Sequence, residues 1–300
     1  MKISSKFVGI PLKEYRCVVN WRDTMNYAAA IDDNNARYFN DEQVSGIVAP
    51  PMFSVAATWP VLENLKDYVD ADDFPFEIFR TQVHLSEFLE FHAAIKPGDE
   101  LFIKGVIAAI VPHPAGTHIT LRFDAANQDK QPIFTEYFGG LIRGVSCGDG
   151  GAGSETLPVT LASPETSTPV WERTIGIDAL RPFVYDGCTN IFFPIHTSRK
   201  FAHDVGLPNI LLQGTATLAY AARELLDHNG GGDPSRLLAL SCRFTGMVFP
   251  DTDIKVQLLA STDHSRHSDL FFRVLGDQGQ VVIKDGYARM EKARTDKDMT

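Results

Sequence analysis

The segment 190–221, NIFFPIHTSRKFAHDVGLPNILLQGTATLAYA, holds the residues of this chain best suited to chemistry. An unperturbed histidine titrates near neutrality, so His196 can take a proton from a water or a hydroxyl and return it. Gly214 stands 18 positions on (214 − 196), directly ahead of an apolar run that reads as a buried helix. A helix N-terminus offers unpaired backbone N–H groups and a favourable dipole, which together stabilise a carbonyl oxygen that gains negative charge. A glycine there also lets a substrate approach the backbone closely. Gln213 and Thr215 flank Gly214, and Leu207 and Pro208 lie between it and the histidine. Asn190 and Asp186 stand on the approach to the histidine. The asparagine amide would orient a water but cannot act as a base. Read as plain structure, His196-Thr197-Ser198 is the start of a short helix capped by one of the two hydroxyls.

These residues need a scaffold, and the chain carries one scaffold twice. Segments 91–105 (FHAAIKPGDELFIKG) and 244–258 (FTGMVFPDTDIKVQL) share Phe91/Phe244, Pro97/Pro250, Leu101/Ile254 and Ile103/Val256 at one offset of 153. Each is an alternating strand, a proline-containing turn and a second alternating strand, which predicts a hairpin. Two more strand-like runs follow in each half, 118–125 and 133–143, then 269–275 and 281–290, which completes two four-strand antiparallel meanders. Ahead of each meander lies a helix that is apolar nearly all round, 51–65 and 214–226, the pattern of a buried helix. Trp59-Pro60 predicts a kink or an early end in the first of them. Shorter helices over 23–30 and 198–205 would overhang the pocket entrance. The Gly/Ser/Thr/Pro tract between Val145 and Val170 reads as a linker. The expected division is 1–145, a linker over 146–169, and 170–300.

With those residues in place, 190–221 resembles the hydratase motif of MaoC-like enoyl-thioester hydratases and dehydratases. In that motif D-x-N-P-[IL]-H is followed by a helix, a G-[FL]-x-x-P-like turn and a final H-G. Pro194, Ile195, His196 and Gly214 match in type and spacing. The resemblance implies an α+β double hot dog, two tandem halves each with a curved antiparallel sheet around a buried central helix. It implies a hydro-lyase acting on an acyl thioester, carried by coenzyme A or an acyl carrier protein, without metal or redox cofactor. His196 and Gly214 would be catalytic, with Asn190 orienting the water, and Gln213, Thr215, Leu207 and Pro208 would contact substrate.

The first half carries AIDDNNARYFND (30–41), which resembles the same motif with Asp33 and Asn35 kept and Tyr38 where the histidine stands. Such a half is similar to the non-catalytic, tunnel-shaping half of bilobed relatives, and Asp33, Asn35 and Tyr38 become candidate substrate contacts. As residues after a helix end they are also ordinary turn formers. Equivalent motifs in a double hot dog serve separate pockets, so Asp33 is expected to stand apart from His196. In the second half the family's aspartate falls on Ile191, its asparagine on Phe193, and the histidine of its His-Gly pair on Gln213. The loss of the aspartate favours a rival reading, a non-catalytic acyl-thioester-binding subunit. A hot dog thioesterase ranks third, because neither PMFSVAATW nor GTATLAYAA contains a carboxylate.

Composition narrows the partners. The 300 residues carry a formal charge of −10 with no Lys/Arg block, which argues against nucleic acid or an anionic membrane surface. Four scattered cysteines give no zinc-ligand or disulfide pattern, and no apolar run has the length of a signal peptide core or a membrane span. The expectation is a cytoplasmic monomer, or a homodimer of double hot dogs.

Overall fold

The computed structural model describes residues 1–161, 163–164, 166 and 168–293. The strands are β1 (Lys2–Ile3), β2 (Tyr15–Val18), β3 (Gln82–Phe91), β4 (Glu100–His113), β5 (Gly116–Ala126), β6 (Pro132–Arg143), β7 (Ser146–Cys147), β8 (Trp171–Ile177), β9 (Leu237–Phe244), β10 (Thr252–Asp263), β11 (His267–Leu275) and β12 (Val281–Glu291). The helices are α1 (Trp21–Ala30), α2 (Ala36–Phe39), α3 (Phe53–Glu63), α4 (Leu65–Tyr68), α5 (Arg181–Thr189), α6 (Arg199–Asp204) and α7 (Gly214–Asn229).

Apart from a small parallel β1/β7 pair, the strands form one ten-stranded sheet in the order β2-β4-β5-β6-β3-β9-β12-β11-β10-β8. The two meanders meet where β3 pairs antiparallel with β9, and there Phe88 lies opposite Ser241, the residue 153 positions on. A chain segment paired with its own repeat marks a pseudo-twofold axis, which runs through this pair. Alternation holds along the strands: Leu101 and Ile103 are fully buried while Lys104 faces out. Register shifts in β3, β4, β10 and β12 break the ladder, and such bulges let a sheet curl.

The helices that the sheet curls around are α3 and α7, whose side chains are buried on most sides. This is the double hot dog arrangement expected from the sequence. Trp59-Pro60 does not break α3, which runs three residues beyond the proline. It ends where Asn64 binds the Pro60 carbonyl through its backbone N–H (3.2 Å) and its side-chain amide (3.0 Å). Among the described residues no helix is long and apolar enough to cross a membrane.

Two glutamates of the first half are almost fully buried. Glu136 accepts a hydrogen bond from the Thr58 hydroxyl of α3 at 2.7 Å. Among the described residues neither carboxyl oxygen of Glu87 makes a well-formed hydrogen bond, although the ring of His84 stands 3.1 Å away with the same Nε2 on the Ser86 carbonyl. Burial pushes both carboxyls well above the usual range. A group whose folded pKa is raised adds stability below its unfolded value and loses it as pH rises through the folded one. Glu87→Gln keeps the shape without the charge, so it is expected to raise the melting temperature at pH 8, by about 2–4 °C for each kcal/mol of penalty relieved. The gain should shrink toward pH 4, which thermal melts at the two pH values would show.

Candidate active site

His196 closes a 3₁₀ turn, Pro194–His196, whose first position suits proline. Its Nδ1 lies 2.9 Å from the Leu211 carbonyl oxygen. A carbonyl only accepts, so Nδ1 carries the proton and Nε2 keeps its lone pair. Nε2 has no protein partner among the described residues. Burial pushes the imidazole down to about 4, so the ring is neutral at pH 7 and ready to accept a proton. The ring is held further by Phe193, edge-on at 6.4 Å, which in turn meets Phe201 at 5.9 Å. Leu211 also donates its backbone N–H to the Ile195 carbonyl at 3.3 Å, which ties the strap before α7 to the turn that bears the histidine. Ser198 caps α6 by accepting from the Phe201 N–H, so the cap and the histidine are separate features of one turn.

Three residues after Leu211, Gly214 opens the 16-residue helix α7. Gln213 provides no side-chain cap, and the N–H groups of Gly214 and Thr215 meet no acceptor among the described residues. Unpaired donors at the positive end of a helix suit an oxyanion. A Cβ on Gly214 would sit 3.2 Å from the Phe244 ring, so close packing accounts for glycine here. Phe244 ends β9 and packs on His84 of β3 (4.5 Å), which stacks on Phe138 of β6 (4.3 Å). The helix start is therefore seated on side chains from both halves.

Around this centre the other sequence candidates divide. Gln213 is buried, its amide donating to the Pro182 carbonyl at 3.2 Å while Oε1 has no partner. Thr215 is buried and accepts from the Tyr185 hydroxyl at 3.2 Å. Leu207 is half-buried, and Pro208 is exposed with its carbonyl on His203. Ile191, where the family's aspartate would stand, packs into the apolar core. Asn190 is exposed and ends α5 in a left-handed conformation (φ 56°), so its observed work is that of a helix cap. Asp186, one turn earlier, keeps a buried Oδ2 without a partner, and burial with the nearby Glu63 raises its carboxyl.

The first-half motif lies elsewhere. Asp33 accepts from the Asn35 N–H and feels Asp227, Arg223 and Glu224 of α7, with burial pushing its carboxyl up to about 6. Those residues sit at least nine positions along α7 from Gly214, ~14 Å at the rise of an α-helix, so Asp33 is not brought to His196. Asn35 caps α2 and donates to the Gly232 carbonyl at 2.6 Å, and Tyr38 is buried beside it. These contacts hold one half against the other.

Sequence reasoning missed helix α5 and the pair Tyr27 and Tyr185, whose hydroxyls meet at 2.9 Å. The signal was there, since Tyr27/Tyr185 and Asp33/Ile191 share an offset of 158. It also passed over His264, His267 and Asp269, whose ligand atoms lie within 4.8 Å of one another. Asp269 already accepts from Tyr287 (2.7 Å) and Arg289 (3.0 Å), so a guanidinium holds the place a cation would contest.

Residues 180–270 match the family model described as MaoC like domain, and residues 6–136 match that of a FAS1-like dehydratase domain region. The chain is 26% identical over 161 residues to a probable enoyl-CoA hydratase 2 of Dictyostelium discoideum, covering 54% of this chain and 53% of that protein. It is 33% identical over 145 residues to the fatty acid synthase beta subunit pkiC of Emericella nidulans, covering 45% of this chain and 8% of that one. The chain thus spans about half the first relative and a small part of the second. A MaoC-like dehydratase from Phytophthora capsici superposes with a TM-score of 0.83 at 20% identity, covering 97% of this chain and 99% of the other. With the repeated sheet-and-helix halves, the chain has the double hot dog fold, carrying a MaoC-like domain in its second half and a match to a FAS1-like dehydratase region in its first.

Proposed function

We propose that the protein hydrates a trans-2-enoyl thioester, or runs the reverse dehydration of a 3-hydroxyacyl thioester, with His196 as its single base. The observation that carries this reading is the neutral imidazole anchored through Nδ1 to the strap that leads into the open helix start at Gly214, with Nε2 left free. Nε2 takes a proton from water as the oxygen adds to C3 of the substrate, and the negative charge moves to the thioester oxygen, held by the Gly214 N–H. The imidazolium then delivers the proton to C2. A base pushed down to about 4 gives a strongly acidic imidazolium, which suits this second step. The curated relatives act, by their names, as an enoyl-CoA hydratase and a fatty acid synthase subunit, in keeping with a coenzyme A or carrier-protein thioester.

Ile191 favours a second reading, a subunit that binds acyl thioesters without turnover, because an aliphatic core residue replaces the partner base. A panel of short and medium trans-2-enoyl-CoA substrates, followed by loss of enone absorbance, separates the two. Saturable turnover by the wild-type protein is the expected result, and binding without turnover would establish the second reading instead. Thiol release from saturated acyl-CoA would move the assignment to a thioesterase.

A further inference from the structure

We infer that the Thr215 hydroxyl is a second donor to the thioester oxygen, aligned by a buried relay, Tyr27 to Tyr185 to Thr215, whose first tyrosine comes from the other half of the chain. This rests on the hydratase reading above and adds a contact to it. The relay runs through three buried hydroxyls. Tyr185 donates to Thr215 Oγ1 at 3.2 Å and, having one proton, must accept from Tyr27 at 2.9 Å. Both tyrosines and Thr215 are shut off from solvent, and the Tyr27 ring is fixed edge-on between Tyr185 (5.9 Å) and Phe53 of α3 (6.0 Å).

The direction of donation decides the chemistry. Thr215 Oγ1 already accepts, and its own proton meets no acceptor among the described residues. A hydroxyl that accepts one hydrogen bond becomes a better donor of the next, and chains polarise one another in a low dielectric. Thr215 is the second residue of α7, one position after Gly214, which puts its hydroxyl on the same first turn as the unpaired backbone N–H groups. A ligand oxygen at the helix start is the natural acceptor. Tyr27 and Tyr185 reach no substrate and are positioning residues. They also give the first half a part in the chemistry that Asp33, held near the far end of α7, does not have.

The experiment uses the full chain with two readouts, kcat and KM on a trans-2-enoyl-CoA and the enolate absorbance of bound acetoacetyl-CoA. Thr215→Val removes the donor at nearly constant volume, and Thr215→Ser restores it. We expect Thr215→Val to lower kcat by about 10²-fold at nearly unchanged KM, the scale of one oxyanion donor, and to lower the bound enolate fraction at a given pH. Tyr185→Phe should lose about tenfold in the same direction, as for a single hydrogen bond removed, and Thr215→Ser should recover most of the wild-type values. If Thr215→Val matches the wild type in both readouts, the donor role is overturned while the hydratase reading stands. If Thr215→Val falls but Thr215→Ser falls equally, the effect is packing and the inference is wrong. If the wild type neither turns over the enoyl thioester nor raises the enolate signal, the hydratase reading fails and takes the relay with it.

Discussion

His196→Ala is expected to lower kcat on a trans-2-enoyl thioester by about 10²–10⁴-fold, the range that a positioned acid/base group contributes. Among the described residues the positions that the motif would use cannot take its place: Ile191 is apolar core, Phe193 is aromatic, and Asn190 has no basic atom and faces solvent, while the carboxyl of Asp186 lies one turn further back on α5. The variant should fold, since the loss is the hydrogen bond to the Leu211 carbonyl and the ring contact with Phe193, together about 1–3 kcal/mol. The pH profile gives a second reading of the same residue. With the imidazole pushed down to about 4, kcat/KM of the wild type should stay flat from pH 8 to about pH 5 and fall about tenfold per unit below pH 4. In the alanine variant that limb should vanish. Protonation opposes folding as well, because a buried neutral imidazole must charge. The associated stability is intact above the unfolded value of about 6.5 and is lost as pH falls through the folded one. Stopped assays at low pH, with refolding controls, separate the two effects. A His196→Ala protein that keeps wild-type turnover would remove the histidine from the mechanism.

How much of this was legible in the sequence depended on the range of the signal. The hairpins at 91–105 and 244–258 and the helices α3 and α7 are written in local periodicity, and the repeat offset of 153 survives as direct pairing of Phe88 with Ser241. The short edge strands β2 and β8 were not seen, because their neighbours β4 and β10 lie 80 or so residues away and supply what the local pattern lacks. Helix α5 opens on Arg181-Pro182 and contains Gly187, a poor helix former, and was hidden for that reason. It is held by packing on α1, which no local rule shows. At the candidate site, His196 and Gly214 were singled out by type and spacing, and the structure ties the histidine to the strap that leads into Gly214. The hydrogen bond that fixes the histidine tautomer was not, since it goes to a backbone carbonyl that any residue at 211 would offer. The distance of Asp33 from His196 was expected from pseudo-symmetry, while its reason, capture of the 31–35 turn by Arg223 and Gly232 of the other half, is tertiary.

Gly214→Ala is the variant in which activity and stability should part company most clearly. Alanine is the better helix former by about 1 kcal/mol, so local propensity alone predicts a small gain in stability. The new methyl group, however, would stand 3.2–3.3 Å from Phe244, closer than ordinary van der Waals contact. Phe244 cannot retreat freely, because its ring backs onto His84 and through it onto Phe138. The helix start must shift by a few tenths of an ångström, and the two effects on folding should nearly cancel, for a net change within about 1 kcal/mol. Catalysis has no such compensation. The oxyanion donor proposed above is the N–H of this same residue, and its usefulness depends on aim and on an open approach for the carbonyl. A shift of this size with a methyl group at the opening is expected to lower kcat/KM by about 10²–10³-fold, the scale on which one oxyanion donor is lost. Thermal melting and steady-state kinetics on the same preparation check both halves of the expectation. Unchanged kinetics in a normally folded Gly214→Ala protein would mean that the thioester oxygen is held elsewhere. A large loss of melting temperature with proportionate loss of activity would mean that Gly214 serves only the packing of α7 on the seam between the halves.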